Sequence, residues 1–98
     1  MTLLLRERET PEGTIVAVCD EATLGESYAT EQVSLTVTEE FYGGDPADDE
    51  AVLAALARAE TANLVGEEAV ATAVEGGFVD PENVLDLDGT VHAQYVRL

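Results

Sequence analysis

The stretch DDEAVLAALARAETANLVGEEAVATAVEGG, residues 48–77, decides how this chain folds. Its outer parts read as helix. Val52, Leu53, Leu56 and Ala59 form an apolar stripe at helical spacing, and Gly76-Gly77 is a strong stop. Between them lies Thr61-Ala62-Asn63-Leu64-Val65-Gly66. One unbroken helix would bury Asn63 on the apolar stripe, which is costly without partners. A break is the better reading: Asn63 caps a second helix, and Gly66 falls in its first turn, where bare backbone lets another group approach the amides. The hexapeptide is then an ordinary cap, or an anion cradle that Glu67 and Glu68 would oppose.

Working outward, Asp45-Pro46 reads as the start of the first helix, a cap followed by proline, with Asp48, Asp49 and Glu50 against the positive end of the dipole. Before it, residues 3–8 and 14–19 form a hairpin around Thr10-Pro11-Glu12-Gly13. Asp20 caps a single turn that Gly25 ends. VSLTVT, residues 33–38, alternates: Val33, Leu35 and Val37 face inward and Ser34, Thr36 and Thr38 outward. After Gly77, Phe78 or Val79 packs back on the helix. Asp80-Pro81 opens one turn, and Asp88-Gly89 joins a second hairpin. The expected fold is a single α+β domain over residues 1–98: a small antiparallel sheet of two hairpins and a central strand, with a helical pair on one face.

The composition bounds the function. The chain has 98 residues, 46% of them hydrophobic, so it can bury one core. No segment approaches the roughly 20 apolar residues of a membrane span, and the short Leu3-Leu4-Leu5 run suits a first strand, so the expected location is cytoplasmic. Twenty-one acidic residues face four basic ones, a net charge of −17, and all four cations are arginines. Molar salt shortens the screening length to roughly 3 Å and quenches such self-repulsion. The expectation is a protein of a salt-in halophile, an archaeon. An acidic mimic of nucleic acid, or a partner for a basic protein, is the alternative, but the acids are spread along the chain and form no tail. Cys19 stands alone, which excludes an internal disulfide, and with one histidine the chain falls short of a zinc set. No metal or cofactor is expected.

The chemistry-bearing residues each have two readings. His92 is expected on the more apolar face of the last strand with Gln94, Val96 and Leu98, opposite Leu85. It is either a half-buried histidine bonded to a backbone carbonyl or, with Gln94, a polar pair aimed into a pocket. Tyr42 before Gly43-Gly44 either stacks on a ring or seals a core edge. Cys19 reads as buried and inert, because no local lysine favours its thiolate. Asp86 and Asp88 share a strand face but lack a third ligand. The sequence contains no phosphate-binding loop, dinucleotide fingerprint or catalytic triad spacing.

VAVCDEATLGESY (16–28), LTVTEEFYGG (35–44), ANLVGEEAV (62–70), GFVDPENVL (77–85) and HAQYVRL (92–98) together resemble the archaeal family known as domain of unknown function 424, in the same order, from about Ile15 to Leu98. Asp20, Gly25, Tyr42, Gly43, Asn63, Gly66, His92 and Gln94 match its motifs. Glu26 departs from it, where a basic residue is expected. The resemblance implies a compact archaeal cytoplasmic protein and an association with translation, and it supplies no catalytic residues. The functional expectation is a non-enzymatic binding module of translation or RNA metabolism, with a contact surface built from Tyr42, Gly43, Asn63, Gly66, His92 and Gln94. Its partner would be RNA or a ribosome-associated particle. The alternatives are a small enzyme using His92 as general base and a structural subunit of a protein complex.

Overall fold

A computed structural model describes residues 2–97. Strand β1 (Leu3–Thr10) and strand β2 (Gly13–Asp20) form the expected hairpin, turned at Gly13 with φ +122°. A 3-10 turn (Glu21–Thr23) leads to a small hairpin of β3 (Ser27–Ala29) and β4 (Ser34–Thr36), which is a separate two-stranded sheet. Helix α1 (Glu39–Tyr42), capped by Thr38, precedes β5 (Asp45–Ala47). Helix α2 (Asp49–Arg58), strand β6 (Thr61–Val65) and helix α3 (Glu67–Glu75) follow. A 3-10 turn (Pro81–Asn83) and the hairpin of β7 (Leu85–Asp86) and β8 (Val91–Val96) close the chain.

The decisive difference lies at 61–65. This segment is no helix junction but a strand at the middle of a six-stranded sheet ordered β5-β1-β2-β6-β8-β7. It runs parallel to β2 and antiparallel to β8, with Asn63 between Ala17 and Gln94. The sheet is therefore mixed and larger than the antiparallel one expected. Both neighbours hydrogen-bond its backbone, and Ala62 and Leu64 point to one face while Thr61, Asn63 and Val65 point to the other. Pairing on two sides overrides the weak strand preference of Ala62 and Asn63. Asn63 consequently caps nothing. Gly66 occupies the N-cap of α3 with φ +111°.

Two further differences have the same origin. Asp45-Pro46 pairs with β1 as an edge strand, where proline's missing N–H is tolerated, and the helix starts one turn later with Asp48 accepting from the Ala51 amide at 2.8 Å. The 33–38 run is ordered as a strand only over its middle, with Val37 fully buried and Val33 38% exposed. The stop at Gly76-Gly77 holds: Gly77 has φ +82°, and the amides of Phe78 and Val79 bond back to the Ala73 carbonyl.

The helical pair does pack on one face. Leu3, Val16, Val18, Ala62, Leu64 and Ala93 of the sheet meet Val52, Ala55, Leu56, Ala69, Val70 and Ala73 of α2 and α3. On the opposite face a smaller cluster of Leu4, Ala17, Cys19, Val37, Tyr42 and Val65 is covered by α1 and the β3–β4 hairpin. This second cover reaches only part of the sheet.

Candidate functional site

Alternation sends Arg6 and Arg8 of β1, Ile15 of β2, Thr61 and Asn63 of β6, and Gln94 and Val96 of β8 to the face away from α2 and α3. The register lines them up in two rows. One is Arg8, Ile15, Thr61 and Val96; the other is Arg6, Ala17, Asn63 and Gln94. Of these only Ala17 is buried, so the rows form an open patch beside the small cluster. Gln94 donates to Asn63 Oδ1 at 2.8 Å, a cross-strand amide pair that leaves the Asn63 NH2 and the Gln94 carbonyl free to read a ligand.

Electrostatically the patch is unlike the rest of the protein. No position of β1, β2, β6 or β8 that points to this face is Asp or Glu, in a chain with 21 of them. Arg6 donates from Nη1 to the Gly43 carbonyl at 2.9 Å, and Arg8 donates to the Glu40 carbonyl and lies 5.0 Å from the centre of the Phe41 ring. Backbone oxygens and an aromatic face thus hold both guanidinium groups in place. Among the described residues the one ion pair is Arg58–Glu7, on the other side of β1. The charges of Arg6 and Arg8 are fixed in direction but not neutralised by a carboxylate.

The expected contact residues separate. Asn63 and Gln94 lie on the open patch, and His92 lies on the same face one row further along, opposite Val65 and Leu85. This is not the apolar side of β8, which belongs to Val91, Ala93 and Tyr95 packed under the helices. The His92 ring bonds through Nδ1 to the Leu64 carbonyl at 2.9 Å; no carboxylate bonds to it among the described residues. Leu98, expected on this face, lies outside the described residues. Gly43 contributes its carbonyl to Arg6. Tyr42 is 3% exposed and fills the small cluster, so its ring is not available for stacking. Its carbonyl accepts a long 3.9 Å contact from Cys19 Sγ, and burial, above all, raises the Cys19 thiol pKa.

Burial also pushes the Tyr42 phenol up to about 12, with the nearby Cys19 adding to the shift. The unfolded phenol ionises near pH 10, so the folded state holds its proton more tightly. The stability this represents is full below about pH 10 and is lost as pH rises toward 12. Chemical denaturation between neutral pH and pH 11 should show this loss, and Tyr42→Phe should flatten it; an equally steep decline in Tyr42→Phe would contradict the assignment.

Gly66 belongs to a different place. The Asp20 carboxylate, at the end of β2, accepts from the Ala69 amide through Oδ1 at 2.8 Å and from the Glu68 amide through Oδ2 at 3.1 Å. Asp20 therefore caps α3 from a distant strand, not the turn that follows it, whose amides its side chain does not reach. A Cβ on Gly66 would come within 2.6 Å of Asp20 Oδ1 and 2.7 Å of its Cβ. The glycine is bare because the cap must pass over it. Gly25, the other flagged glycine, has φ +86° and nothing within 4 Å of a Cβ. A cavity of about 410 Å³ opens beside Asp20, lined also by Thr23, Tyr28, Glu67 and Thr90.

Arg6, Arg8 and Thr61 escaped the sequence reading, although Leu4-Arg6-Arg8 alternates visibly against Leu5-Glu7-Glu9. Tyr28 and Thr90 carried no local signal, since the cavity joins segments far apart in sequence. No group of three or more His, Cys, Asp or Glu side chains is placed to hold a metal ion among the described residues, and no helix there is long and apolar enough to cross a membrane.

Comparison with known proteins agrees with this fold. The chain is similar over its whole length to an uncharacterised conserved protein from Methanopyrus kandleri, whose crystal structure superposes with a TM-score of 0.80 at 24% identity, covering 100% of this chain and 96% of that one. No curated protein matches. Residues 7–98 match the family described as protein of unknown function (DUF424), and the chain belongs to that family.

Proposed function

We propose that this member of the family is a non-enzymatic binding module that holds single-stranded RNA on the open sheet face, in the cytoplasm of a salt-adapted archaeon. The observation that carries the reading is the pair of arginines without carboxylate partners on a face whose strand positions in β1, β2, β6 and β8 carry no acid, in a chain of net charge −17. A surface selected only for solvation in salt would be acidic here as elsewhere. An acid-free strip with two preoriented guanidinium groups suits a polyanion.

The geometry favours a single strand over a duplex. Arg6 and Arg8 are two residues apart on β1, so their Cα atoms are roughly 7 Å apart, a separation suited to neighbouring phosphates of an extended strand. The Asn63–Gln94 pair, with Thr61 beside it, offers hydrogen bonds to base edges, and Ile15 and Val96 offer apolar contact to base faces. In high salt the counterion-release share of the affinity shrinks, so these salt-insensitive contacts have to carry more of it.

RNA recovered with the native protein from lysate in molar KCl, followed by filter binding of the recovered sequence, tests the reading. Arg6→Gln with Arg8→Gln should weaken binding about tenfold to a hundredfold, at one to three kcal/mol for the lost contacts, while circular dichroism stays unchanged. Recovery of no RNA, or equal binding by the double variant, would overturn it.

A further inference from the structure

The cavity beside Asp20 takes no part in the sheet-face reading. It lies where β2 ends, between the start of α3, the β3–β4 hairpin and the β7–β8 turn, and it has a volume of about 410 Å³. That is the size of a small-ligand site. The ring of Tyr28 forms one wall; its nearest carbon is 3.6 Å from where a Cβ on Gly89 would stand. Most of the lining surface is apolar, and the polar residues among it are acidic or hydroxyl-bearing. Asp20, Glu21 and Glu67 bring carboxylates, Thr2, Thr23 and Thr90 bring hydroxyls, and no lysine, arginine or histidine lines it.

The choice of ligand follows from what is already satisfied. The amides of Glu68 and Ala69, the donors an anion would need, are held by Asp20. An anion would meet three carboxylates and gain little in return. Thr90 points to the opposite chemistry. It is 6% exposed, and its hydroxyl makes no hydrogen bond to another described residue, while every fully buried side-chain oxygen or nitrogen has a partner. The Thr90 hydroxyl is therefore not sealed in, and Thr90 lines both this cavity and the shallower hollow that adjoins it at Glu67, Gly89 and Val91. Asp20, 8% exposed, uses one lone pair on each oxygen for the helix and keeps the others.

We propose that this cavity binds an organic cation, a guanidinium or primary ammonium on a short apolar stem. The cationic head donates to Asp20, Thr90 and the nearer of Glu21 and Glu67, and the stem or the flat guanidinium lies on Tyr28. The same chemistry is offered by a free amine and by an arginine or lysine side chain of a protein partner. The contacts to Asp20 and Thr90, both buried residues, are less sensitive to molar salt than those to exposed carboxylates elsewhere on the surface.

Amide NMR of the full chain in molar KCl, titrated with n-butylguanidinium, with the neutral isostere n-butylurea and with an acetylated, amidated Gly-Arg-Gly peptide, tests this. Shifts should centre on Asp20–Thr23, Tyr28, Glu67–Ala69 and Gly89–Thr90, and the guanidinium should bind about tenfold more tightly than the urea. Thr90→Val keeps the shape and removes the hydroxyl, and should weaken binding about fivefold; Tyr28→Leu should do the same without disturbing the helix cap. A tighter peptide identifies a protein side chain as the natural source, and equal affinities identify a free small cation. Equal binding of urea and guanidinium, shifts scattered over the acidic surface, or an unaltered Thr90→Val would overturn the proposal. The Arg6 and Arg8 double variant should bind butylguanidinium normally, so the cavity and the sheet face succeed or fail separately.

Discussion

Gly66→Ala should destabilise the protein by about 3 kcal/mol or more, through two effects that act together. Backbone at φ +111° strains any residue with a Cβ, at about 1–3 kcal/mol. The new methyl also collides with Asp20, whose oxygen and Cβ would stand at 2.6 Å and 2.7 Å. Asp20 cannot retreat without releasing the amides of Glu68 and Ala69, and Ala69 is fully buried. For a domain of this length each kcal/mol shifts the melting temperature by about 4–8 °C. Thermal unfolding followed by circular dichroism in molar KCl should show a drop of roughly 15 °C or more on that scale. A drop of only a few degrees would mean that α3 re-caps itself locally and that the long-range cap matters little.

Asp20→Ala should be almost as harmful, costing about 2–3 kcal/mol. It leaves the Ala69 amide buried without an acceptor and removes a negative charge from the positive end of α3. Asp20→Asn keeps one acceptor oxygen and should lose about half as much. The double variant Asp20→Ala with Gly66→Ala should be less harmful than the sum of its parts, because the methyl no longer meets a carboxylate. Strict additivity would show that the glycine is needed only for its φ and not for the passage of the cap. The cap also explains why a strand end, Asp20, and a helix N-cap 46 residues later, Gly66, carry matched residues, and why both fall among the family-motif positions.

The local parts of the fold were legible from sequence because local chemistry specifies them. Pro11 and Gly13 turn the first hairpin, Asp88-Gly89 the last, and both registers agree with the alternation of their strands. Gly76-Gly77 ends α3 as read, whereas α2 starts at Asp48, one turn after the Asp45-Pro46 start the sequence suggested. The candidate site was legible only in fragments. Asn63 was read as a helix cap and Gln94 as a partner of His92, and the two instead meet across β6 and β8. Tyr42 was marked for its ring, which the structure buries.

Composition and turn chemistry by themselves determined an acidic α+β chain with two terminal hairpins and two helices, and its sequence blocks carried the family resemblance. Only the tertiary structure decided what Thr61–Val65 becomes, because five residues with two alanine-sized or amide side chains carry no preference strong enough to choose. The choice rests on hydrogen bonds to β2 and β8, partners more than 25 residues away on either side, and on a helix cap supplied by Asp20. The same long-range pairing sets which face of the sheet is left open, and hence where Arg6 and Arg8 point.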